Sequence, residues 1–418
     1  MKKILVLLLV LLAATSLHAR KGPNHQAIRA LGMGNAFVAV AEDRDAIYYN
    51  PAGLNLMGRL GNYKENPELG YYPDNWLDLR LAVISSLKLP DLFQMTTSGW
   101  TFYDEHKKTL RHLDDDALGT LLADDDFFKD ALVIDGMFFP VGLRPIHGEV
   151  AFKHFGAALW SEAEVRPAFD IGVITPSAVI DEISAVAVGQ LAWAFGIGKN
   201  FSVGLGYRMV EKATIGRYEV SLADGLSPDE LRDRLEDELN DVTDRVVDDL
   251  TSFSMDHAFD VGLMWQFARE WRFGAAVQNL FVDGYGGETV TPELTAGFAF
   301  SPRKLQRNTA YARKVNFAVD YEDMLNDDRN YKPLSHLNFG FEVEQVLLAV
   351  PSMRLGSNAR VMKARGAMGF KGGYFTLGAG LELLRVLNFE FVTWAEEAGY
   401  YTGQAPERFF LFEFSVGL

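Results

Sequence analysis

Apolar residues alternate with polar or small residues along much of the second half of the chain. In residues 258–267, one set of alternating positions is apolar: Phe259, Val261, Leu263, Trp265 and Phe267. The positions between them are Asp260, Gly262, Met264 and Gln266. A period of two is that of a β-strand, because successive side chains point to opposite faces. An aromatic-rich face opposite a polar face predicts a strand with lipid on one side and a wet lumen on the other.

The same alternation recurs in enough segments to build a large sheet. Residues 191–197 and 201–209 alternate on either side of a turn at 198–200 and predict a β-hairpin. Further strands are predicted at 81–87, 150–159, 183–188, 294–300, 315–321, 337–343, 367–371, 376–383 and 387–394, with more ambiguous segments near Phe138 and Val173. We expect roughly 12 to 14 antiparallel strands, closed into a barrel that leaves no unpaired edge.

The last nine residues carry the sharpest alternation. One face has Phe410, Phe412, Phe414, Val416 and Leu418, and the other has Leu411, Glu413, Ser415 and Gly417. This pattern resembles the C-terminal strand of outer-membrane proteins, which is read in that group by the barrel-assembly machinery. Such strands usually end in an aromatic residue, and Leu418 departs from that ending.

The N-terminus predicts export. Lys2 and Lys3 precede a short apolar run at residues 4–12, which is followed by small and polar residues up to Ala19. This is the pattern of a cleavable signal peptide, here residues 1–19, and the run is short of the roughly 20 residues of a membrane-spanning helix. The chain has no cysteine, which excludes a lipoprotein anchor and a disulfide framework. Together these features predict the outer membrane of a bacterial cell.

Composition narrows the class further. The chain has 418 residues and is 48% hydrophobic, yet beyond the leader it shows no long apolar stretch such as a helical membrane protein has. Its net charge of -16 argues against nucleic acid as a partner. Residues 228–250 have Leu and Val at helical spacing and predict a helical loop insertion, on the outer side where loops are long. Residues 101–130 are similarly polar and helix-compatible. Either segment is a solvated insertion or a contact for the rim or a partner.

Residues 29–54 are rich in small residues and precede the first clear strand. The run ALGMGNAFVAVAEDRDAIYYNPAGL at 30–54 resembles the N-terminal signature of the FadL-type superfamily of outer-membrane proteins, which includes hydrophobic-compound channels and PorV-like proteins of a secretion system. GAAVQNL at 274–280 resembles a mid-barrel motif of the PorV-like branch. The resemblance implies an all-β transmembrane antiparallel barrel of about 14 strands with an N-terminal hatch. The implied division is a hatch at residues 20–60 and a barrel at 61–418.

The resemblance also implies a function and a set of hatch residues. Channels of this superfamily pass long-chain fatty acids or other hydrophobic compounds through a lumenal pocket beside the hatch. The hatch residues singled out by the signature are Gly32, Gly34, Asn35, Asn50, Pro51 and Ala52. Either glycine is a hinge or a position where backbones approach closely, and the second interpretation is favoured. Asn50 is expected to bond hatch backbone through its amide while Pro51 fixes the turn, in a structural plug or a moving gate.

Charged residues on the inward face predict a polar lumen. They are Arg208, Asp260, Arg272, Asp320, Glu342, Glu382 and Glu413. Because buried charges require partners, we expect them to form ion pairs that hold hatch and wall together.

No catalytic constellation is found in the sequence. It has no P-loop, no G-x-S-x-G elbow and no zinc-type histidine spacing, so we expect no enzyme activity, cofactor or metal. The leading hypothesis is passive uptake of hydrophobic small molecules, with outer-membrane lipids as the surroundings. The alternative is a PorV-like barrel that binds secretion-system proteins through residues 228–250, and a third is a structural or adhesive surface barrel.

Overall fold

The computed structural model describes residues 25–57, 77–90, 141–171, 176–198, 200–215, 218–221, 255–282, 284–285, 288–302, 304–306, 313–325, 333–351, 358–384, 386–397 and 406–417. The predicted leader, the helix-compatible segments 101–130 and 228–250, and the positions Phe138 and Val173 lie outside the described residues. The leader's end at residue 19 and the hatch boundary at residue 60 therefore stay predictions.

Most of the described residues belong to long antiparallel strands. Fourteen of them form the wall: β1 Leu77–Pro90, β2 Val141–Phe152, β3 Phe155–Ile171, β4 Pro176–Ile197, β5 Phe201–Ile215, β7 Asp256–Trp265, β8 Trp271–Leu280, β11 Glu293–Phe300, β12 Arg313–Tyr321, β13 Leu337–Pro351, β14 Asn358–Lys371, β15 Tyr374–Leu383, β16 Leu387–Glu397 and β17 Pro406–Gly417. Three short strands complete the set: β6 Tyr218–Ser221, β9 Gly284–Tyr285 and β10 Glu288–Thr289.

The fourteen long strands close into a barrel. Each pairs with its neighbour along the chain, and the first strand, β1, pairs with the last, β17. The short strand β6 extends the sheet at the end of β4, whereas β9 and β10 pair only with each other. Because the ring is closed, no strand of the wall has a free edge. The prediction of an even-numbered antiparallel barrel is confirmed, at the upper end of the expected strand number.

Side chains alternate between an apolar outside and a polar inside. Phe298 is 50% exposed and Phe412 is 48% exposed. Similar exposed fractions are found for Phe259, Trp265, Phe339 and Phe414. Between them, buried polar residues point to the lumen, among them Asp260, Asp320 and Glu413. An apolar outer band around a polar interior suits a barrel surrounded by lipid. Separately, among the described residues, no helix has both the length and the apolar character needed to cross a membrane.

Two predicted strands were wrong in their limits. Residues 150–159 form a tight hairpin rather than one strand, with the turn at Lys153 and His154 between β2 and β3. The turn has no Gly or Pro, and His154 itself adopts the left-handed region at φ 78°, so the usual signal of a turn is missing. Residues 183–188 and 191–197 belong to one strand, β4, because Gly189 and Gln190 continue its pairing with β5 without interruption.

Residues 25–57, which we call the luminal segment, fill part of the barrel interior. The segment contains the short helices Ile28–Gly32 and Ala46–Tyr49 and the 3-10 helix Pro51–Leu56. The first helix packs against β14, β15 and β16, and the 3-10 helix packs against β4, β5 and β7 on the other side of the lumen. Almost every residue of the segment is buried. The barrel core is therefore formed largely between this segment and the wall.

Strand pairing shifts register at several places in the wall, including β3–β4, β7–β8 and β13–β14. The largest shift lies between β1 and β17, and another lies close to it between β2 and β3. From Leu81 to Ser86 the chain advances five positions on β1, while the paired residues on β17 advance only three, from Val416 to Glu413. In β2, Leu143 and His147 are four positions apart, but their partners on β3, Ala163 and Trp160, are three apart. Extra residues of this kind bend a strand and leave some backbone groups without ladder partners. We call β1 and β2, together with their neighbours β17 and β3, the irregular sector.

Candidate functional site

The amide of Asn50 joins two parts of the luminal segment to the wall. Its Nδ2 donates to the carbonyl oxygen of Val38 at 2.9 Å and to that of Leu263 on β7 at 3.0 Å. Its Oδ1 accepts from the backbone N–H of Ala52 at 3.2 Å and so caps the 3-10 helix that begins at Pro51. Pro51 suits this first position because its own missing N–H would have no partner there. Asn50 therefore bonds backbone of the luminal segment through both atoms of its amide.

Glycines allow the luminal segment to lie directly on the wall. Gly34 has φ 63°, and a Cβ built there would lie 2.6 Å from the carbonyl oxygen of Phe339 and 2.5 Å from that of Phe370. A Cβ at Gly32 would lie 3.0 Å from the Cα of Gly378. Gly34 therefore excludes a larger residue, whereas Gly32 accepts a Cβ only if its neighbours shift by a few tenths of an ångström. Both positions favour the close-approach interpretation over a hinge. Asn35, also at positive φ, donates through Nδ2 to Glu322 at 3.1 Å.

Side chains of the wall also bond backbone carbonyls of the luminal segment. Ser202 on β5 donates to the carbonyl oxygen of Ala52 at 3.0 Å, and Gln190 on β4 donates to that of Ile47 at 2.7 Å. Thr376 on β15 donates to the carbonyl oxygen of Gly32 at 3.0 Å. The segment is thus hydrogen-bonded to opposite sides of the wall.

A buried ion pair links the first helix of the luminal segment to β13. Arg29 donates through Nε to Oε1 of Glu342 at 2.6 Å and through Nη2 to Oε2 at 2.8 Å. Arg29 also pairs with Asp43 within the segment. Both Arg29 and Glu342 are almost fully buried, at 4% and 0% exposure. The two parallel bonds fix both the position and the orientation of the helix relative to the wall.

Two further carboxylates cross the same interface. Glu42 of the segment pairs with Arg272 on β8 and Lys314 on β12. Asp320 on β12 accepts backbone N–H groups of Phe37 at 2.5 Å and Val38 at 2.7 Å. Of the inward residues expected from the sequence, Glu342, Arg272 and Asp320 thus hold the segment to the wall.

The remaining inward residues pair within the wall. Arg208 donates to Asp260 at 2.8 Å and to the side-chain oxygen of Asn279 at 2.6 Å. Glu382 pairs with Lys363 at 3.1 Å. Glu413 pairs with the guanidinium of Arg80, which also reaches Glu390 at 2.9 Å. All seven predicted inward residues therefore have partners, although only three of them contact the luminal segment.

Electrostatic interactions favour contact between the luminal segment and the wall at neutral pH. Burial alone would raise the pKa of Glu42, but Arg272 and Lys314 outweigh burial and hold that pKa at about 2. Burial would likewise lower the pKa of Arg29, but Asp43 and Glu342 raise it well above its ordinary value. Both groups are therefore charged at pH 7, and each charge is met by a partner of opposite sign.

Sequence reasoning missed a second group of luminal residues. Arg44 pairs with Glu149 of β2 at 2.7 Å, and Tyr48 donates to Glu149 at 2.7 Å. The rings of Tyr48, His147 and Trp160 lie around that of His25. Arg44 and Tyr48 stand inside the N-terminal signature, but the alternation pattern of the strands says nothing of residues that are not in strands.

A narrow crevice lies beside the first turn of the luminal segment, next to the irregular sector of the wall. Its lining is Gln26, Gly142, Leu143, Arg144, Glu162, Trp394 and Leu411. Arg144 crosses it, donating to the carbonyl oxygen of Gln26 at 3.1 Å and to Glu162 at 2.9 Å. The crevice is too narrow to admit a water molecule. The segment must therefore move before a ligand can enter here.

The closed ring of strands, its apolar outer band and its polar interior define a transmembrane β-barrel of the bacterial outer membrane, with the chain's own N-terminal segment inside the lumen.

Comparison with known proteins gives matches among solved structures. No family model matches the sequence, and no curated protein matches it. The toluene transporter TbuX of Ralstonia pickettii is 12% identical with a TM-score of 0.42, over 94% of this chain and 98% of that one. The toluene transporter TodX of P. putida is 11% identical with a TM-score of 0.40, over 94% and 97%. The CymD monoaromatic hydrocarbon channel is 10% identical with a TM-score of 0.39, over 93% and 96%.

Proposed function

We propose that this protein is an outer-membrane channel for the passive uptake of hydrophobic small molecules, and that the luminal segment is its hatch. The observation that carries the proposal is an apolar contact between the hatch and the wall. Ile28 and Leu31 of the first helix pack against Val392, Trp394, Phe409 and Leu411 of β16 and β17. Apolar contacts also join other parts of the segment to the wall. The contact of Ile28 and Leu31 differs from them because it borders the crevice, at Trp394 and Leu411.

The position of this apolar contact beside the crevice favours an apolar solute. If the helix Ile28–Gly32 withdraws, the surface that it uncovers on β16 and β17 is apolar, and the crevice lined in part by Leu143 and Leu411 widens beside it. A hydrophobic compound could replace the lost contacts, because burial of its surface regains the hydrophobic free energy. A polar solute would not regain this free energy on β16 and β17, where the uncovered side chains are apolar. The site therefore selects for hydrophobicity.

The irregular sector of the wall supports an exit toward lipid. Backbone pairing between β1 and β17 is interrupted beyond Leu81, and that between β2 and β3 beyond Leu143, close to the crevice. A gap in the ladder is the place where a barrel wall opens at the lowest cost in hydrogen bonds. Long-chain fatty acids and small hydrocarbons are both candidates for the compound carried.

Uptake by whole cells tests this function. A Gram-negative host without its own hydrophobic-compound channels is given labelled oleate, toluene or hexadecane, with and without this protein. We expect faster entry of at least one compound when the protein is present. Equal rates across the panel would refute the channel function. Recovery of a secretion protein in stoichiometric amount from solubilised envelopes, lost on deletion of residues 228–250, would favour the secretion hypothesis instead.

A further inference from the structure

His25 lies inside a box of three aromatic rings. The centroid of its imidazole is 4.1 Å from that of Tyr48, 4.8 Å from that of His147 and 5.3 Å from that of Trp160. Tyr48 belongs to the luminal segment, His147 to β2 and Trp160 to β3. Such centroid separations are those of stacked and tilted ring pairs. The box therefore has the dimensions of one planar ring, and His25 fills it.

The box turns polar groups of two of its rings away from its occupant. Tyr48 donates to Oε2 of Glu149 at 2.7 Å, and Nε2 of His147 lies 3.4 Å from the same oxygen. With its proton on Nε2, His147 has a free acceptor at Nδ1. Because Glu149 binds the polar atoms of Tyr48 and His147, the faces of these two rings are free to contact His25.

Three nitrogen atoms of this cluster have no hydrogen-bond partner in the described part of the protein. They are Nδ1 of His25, Nδ1 of His147 and Nε1 of Trp160, and each belongs to a side chain at least nine-tenths buried. A buried polar atom without a partner is costly. Burial, with Arg144 next in effect, also lowers the pKa of His25 well below its ordinary value, so its imidazole is neutral. His25 fits the box in shape but does not satisfy its polar atoms.

We propose that this box is a binding site for a single aromatic ring that bears a hydroxyl group, and that His25 occupies it in the ligand's absence. A phenolic oxygen can accept from the N–H of Trp160, and its proton can be donated to Nδ1 of His147. A plain hydrocarbon ring would fill the same space but leave both nitrogens unpartnered. The inference names the substrate class of the proposed channel and rests on that function.

Access to the box lies next to the crevice. His25 precedes Gln26, whose carbonyl oxygen is held by Arg144 in the crevice lining. His147 is the residue at which pairing between β2 and β3 resumes after the irregular stretch. Movement of the first residues of the luminal segment would therefore remove His25 from the box and open the crevice together.

Two probes that differ only in the polar group test the proposal. The full-length protein in detergent is titrated with 4-fluorophenol or 4-fluorotoluene, and binding is followed by fluorine NMR. In His25→Ala we expect 4-fluorophenol to bind about tenfold tighter than in the wild type, because the competing ring is gone. In that variant 4-fluorophenol should also bind about tenfold tighter than 4-fluorotoluene, since two hydrogen bonds each contribute a factor of a few.

Two further variants separate the hydroxyl contact from ring packing. Adding Trp160→Phe to His25→Ala keeps a ring in place but removes the N–H, so the preference for 4-fluorophenol should fall several-fold while 4-fluorotoluene binding persists. His25→Phe fills the box with an apolar ring and should weaken binding of 4-fluorophenol relative to the wild type. His257→Ala, at an exposed position on the outer face, is the matched control and should leave binding unchanged.

The outcomes distinguish this site from the channel function. Equal binding of the two probes in His25→Ala would overturn the hydroxyl assignment, and unchanged affinity on removing His25 would overturn the box. If His25→Ala fails to assemble, the affinity of His25→Phe for 4-fluorophenol tests the site instead. An affinity equal to that of the wild type would refute the site. Hydrophobic uptake by cells without binding in the box would leave the channel standing and the site wrong. Binding without uptake would support the site and refute the channel.

Discussion

The ion pair between Arg29 and Glu342 gives the sharpest test of how the luminal segment is held in the barrel. Glu342→Leu would remove both oxygens that meet Arg29, at 2.6 and 2.8 Å, and leave a guanidinium that is only 4% exposed. Removing one partner of a buried ion pair costs about 3–5 kcal/mol. We expect the lower end, about 3 kcal/mol, because Asp43 still pairs with Arg29. Arg365, a second cation that lies 4.0 Å from Glu342, keeps Glu390 as its partner.

A thiol reporter converts that free energy into a rate. The chain has no cysteine, so Ala39→Cys supplies a single thiol at a luminal position that is 0% exposed. Labelling by a maleimide then requires the segment to leave its seat. A loss of about 3 kcal/mol should raise the labelling rate roughly a hundredfold, since each 1.4 kcal/mol is about a factor of ten. The double variant Arg29→Met with Glu342→Leu should return to within about tenfold of the starting rate, because an apolar pair replaces the ion pair.

The wall pair of Lys363 and Glu382 provides the matched control. It is an ion pair of 3.1 Å between neighbouring strands β14 and β15. The variant Glu382→Leu should therefore leave the labelling rate of the reporter unchanged. If Glu342→Leu also left the labelling rate unchanged, or if Glu382→Leu raised it as much, then the ion pair of Arg29 and Glu342 would not be what holds the luminal segment against the wall.

Three further predictions use the same reporter. Asn50→Ala or Pro51→Ala should leave heat-modifiable migration of the barrel intact while altering transport, and loss of that migration would show a structural role instead. Asn50→Ala should also raise the labelling rate, because it leaves the carbonyls of Val38 and Leu263 without this donor. Gly34→Ala should raise the labelling rate at least about tenfold, because residue 34 has φ 63° and its Cβ would collide with backbone atoms of the wall. Gly366→Ala should not raise it, because the space around that Cβ is open. Equal labelling rates in the two variants would refute the close fit at Gly34. Glu42, whose pKa is lowered to about 2, stabilises seating above its ordinary pKa, and this contribution is lost as the pH falls from about 5 toward 2. The labelling rate, divided at each pH by that of a free model thiol to correct for the thiolate fraction, should rise over that range and rise less in Glu42→Gln. Identical corrected pH profiles would contradict the assignment.

The orientation of the wall could be predicted from sequence because its cause is local. Each strand of a barrel alternates between lipid and lumen, so the side of Asp260 or Phe412 follows from the residues next to it. The same reasoning placed Glu342 and Asp320 inside. Turn chemistry was less informative at His154, where a residue other than glycine takes a positive φ.

The partners of the inward residues could not be predicted in the same way. Arg29 and Glu342 are 313 positions apart, and their meeting depends on how the segment lies within the closed ring. A period of two identifies a face but not what lies against it. The box around His25 likewise joins the luminal segment to β2 and β3, and no pattern within any one of these elements indicates it.

Locking the hatch tests the central claim most directly. A Cβ at Gly32 would lie 3.2 Å from that of Ala367 on β14, close to the separation of about 3.5–4.5 Å in disulfides, so Gly32→Cys with Ala367→Cys can tie the first helix to the wall. Whole-cell uptake of a hydrophobic compound is measured with this pair oxidised and then reduced, beside each single variant. We predict that oxidation stops uptake and reduction restores it. Uptake at the same rate with the disulfide formed would contradict a channel gated by its own N-terminal segment.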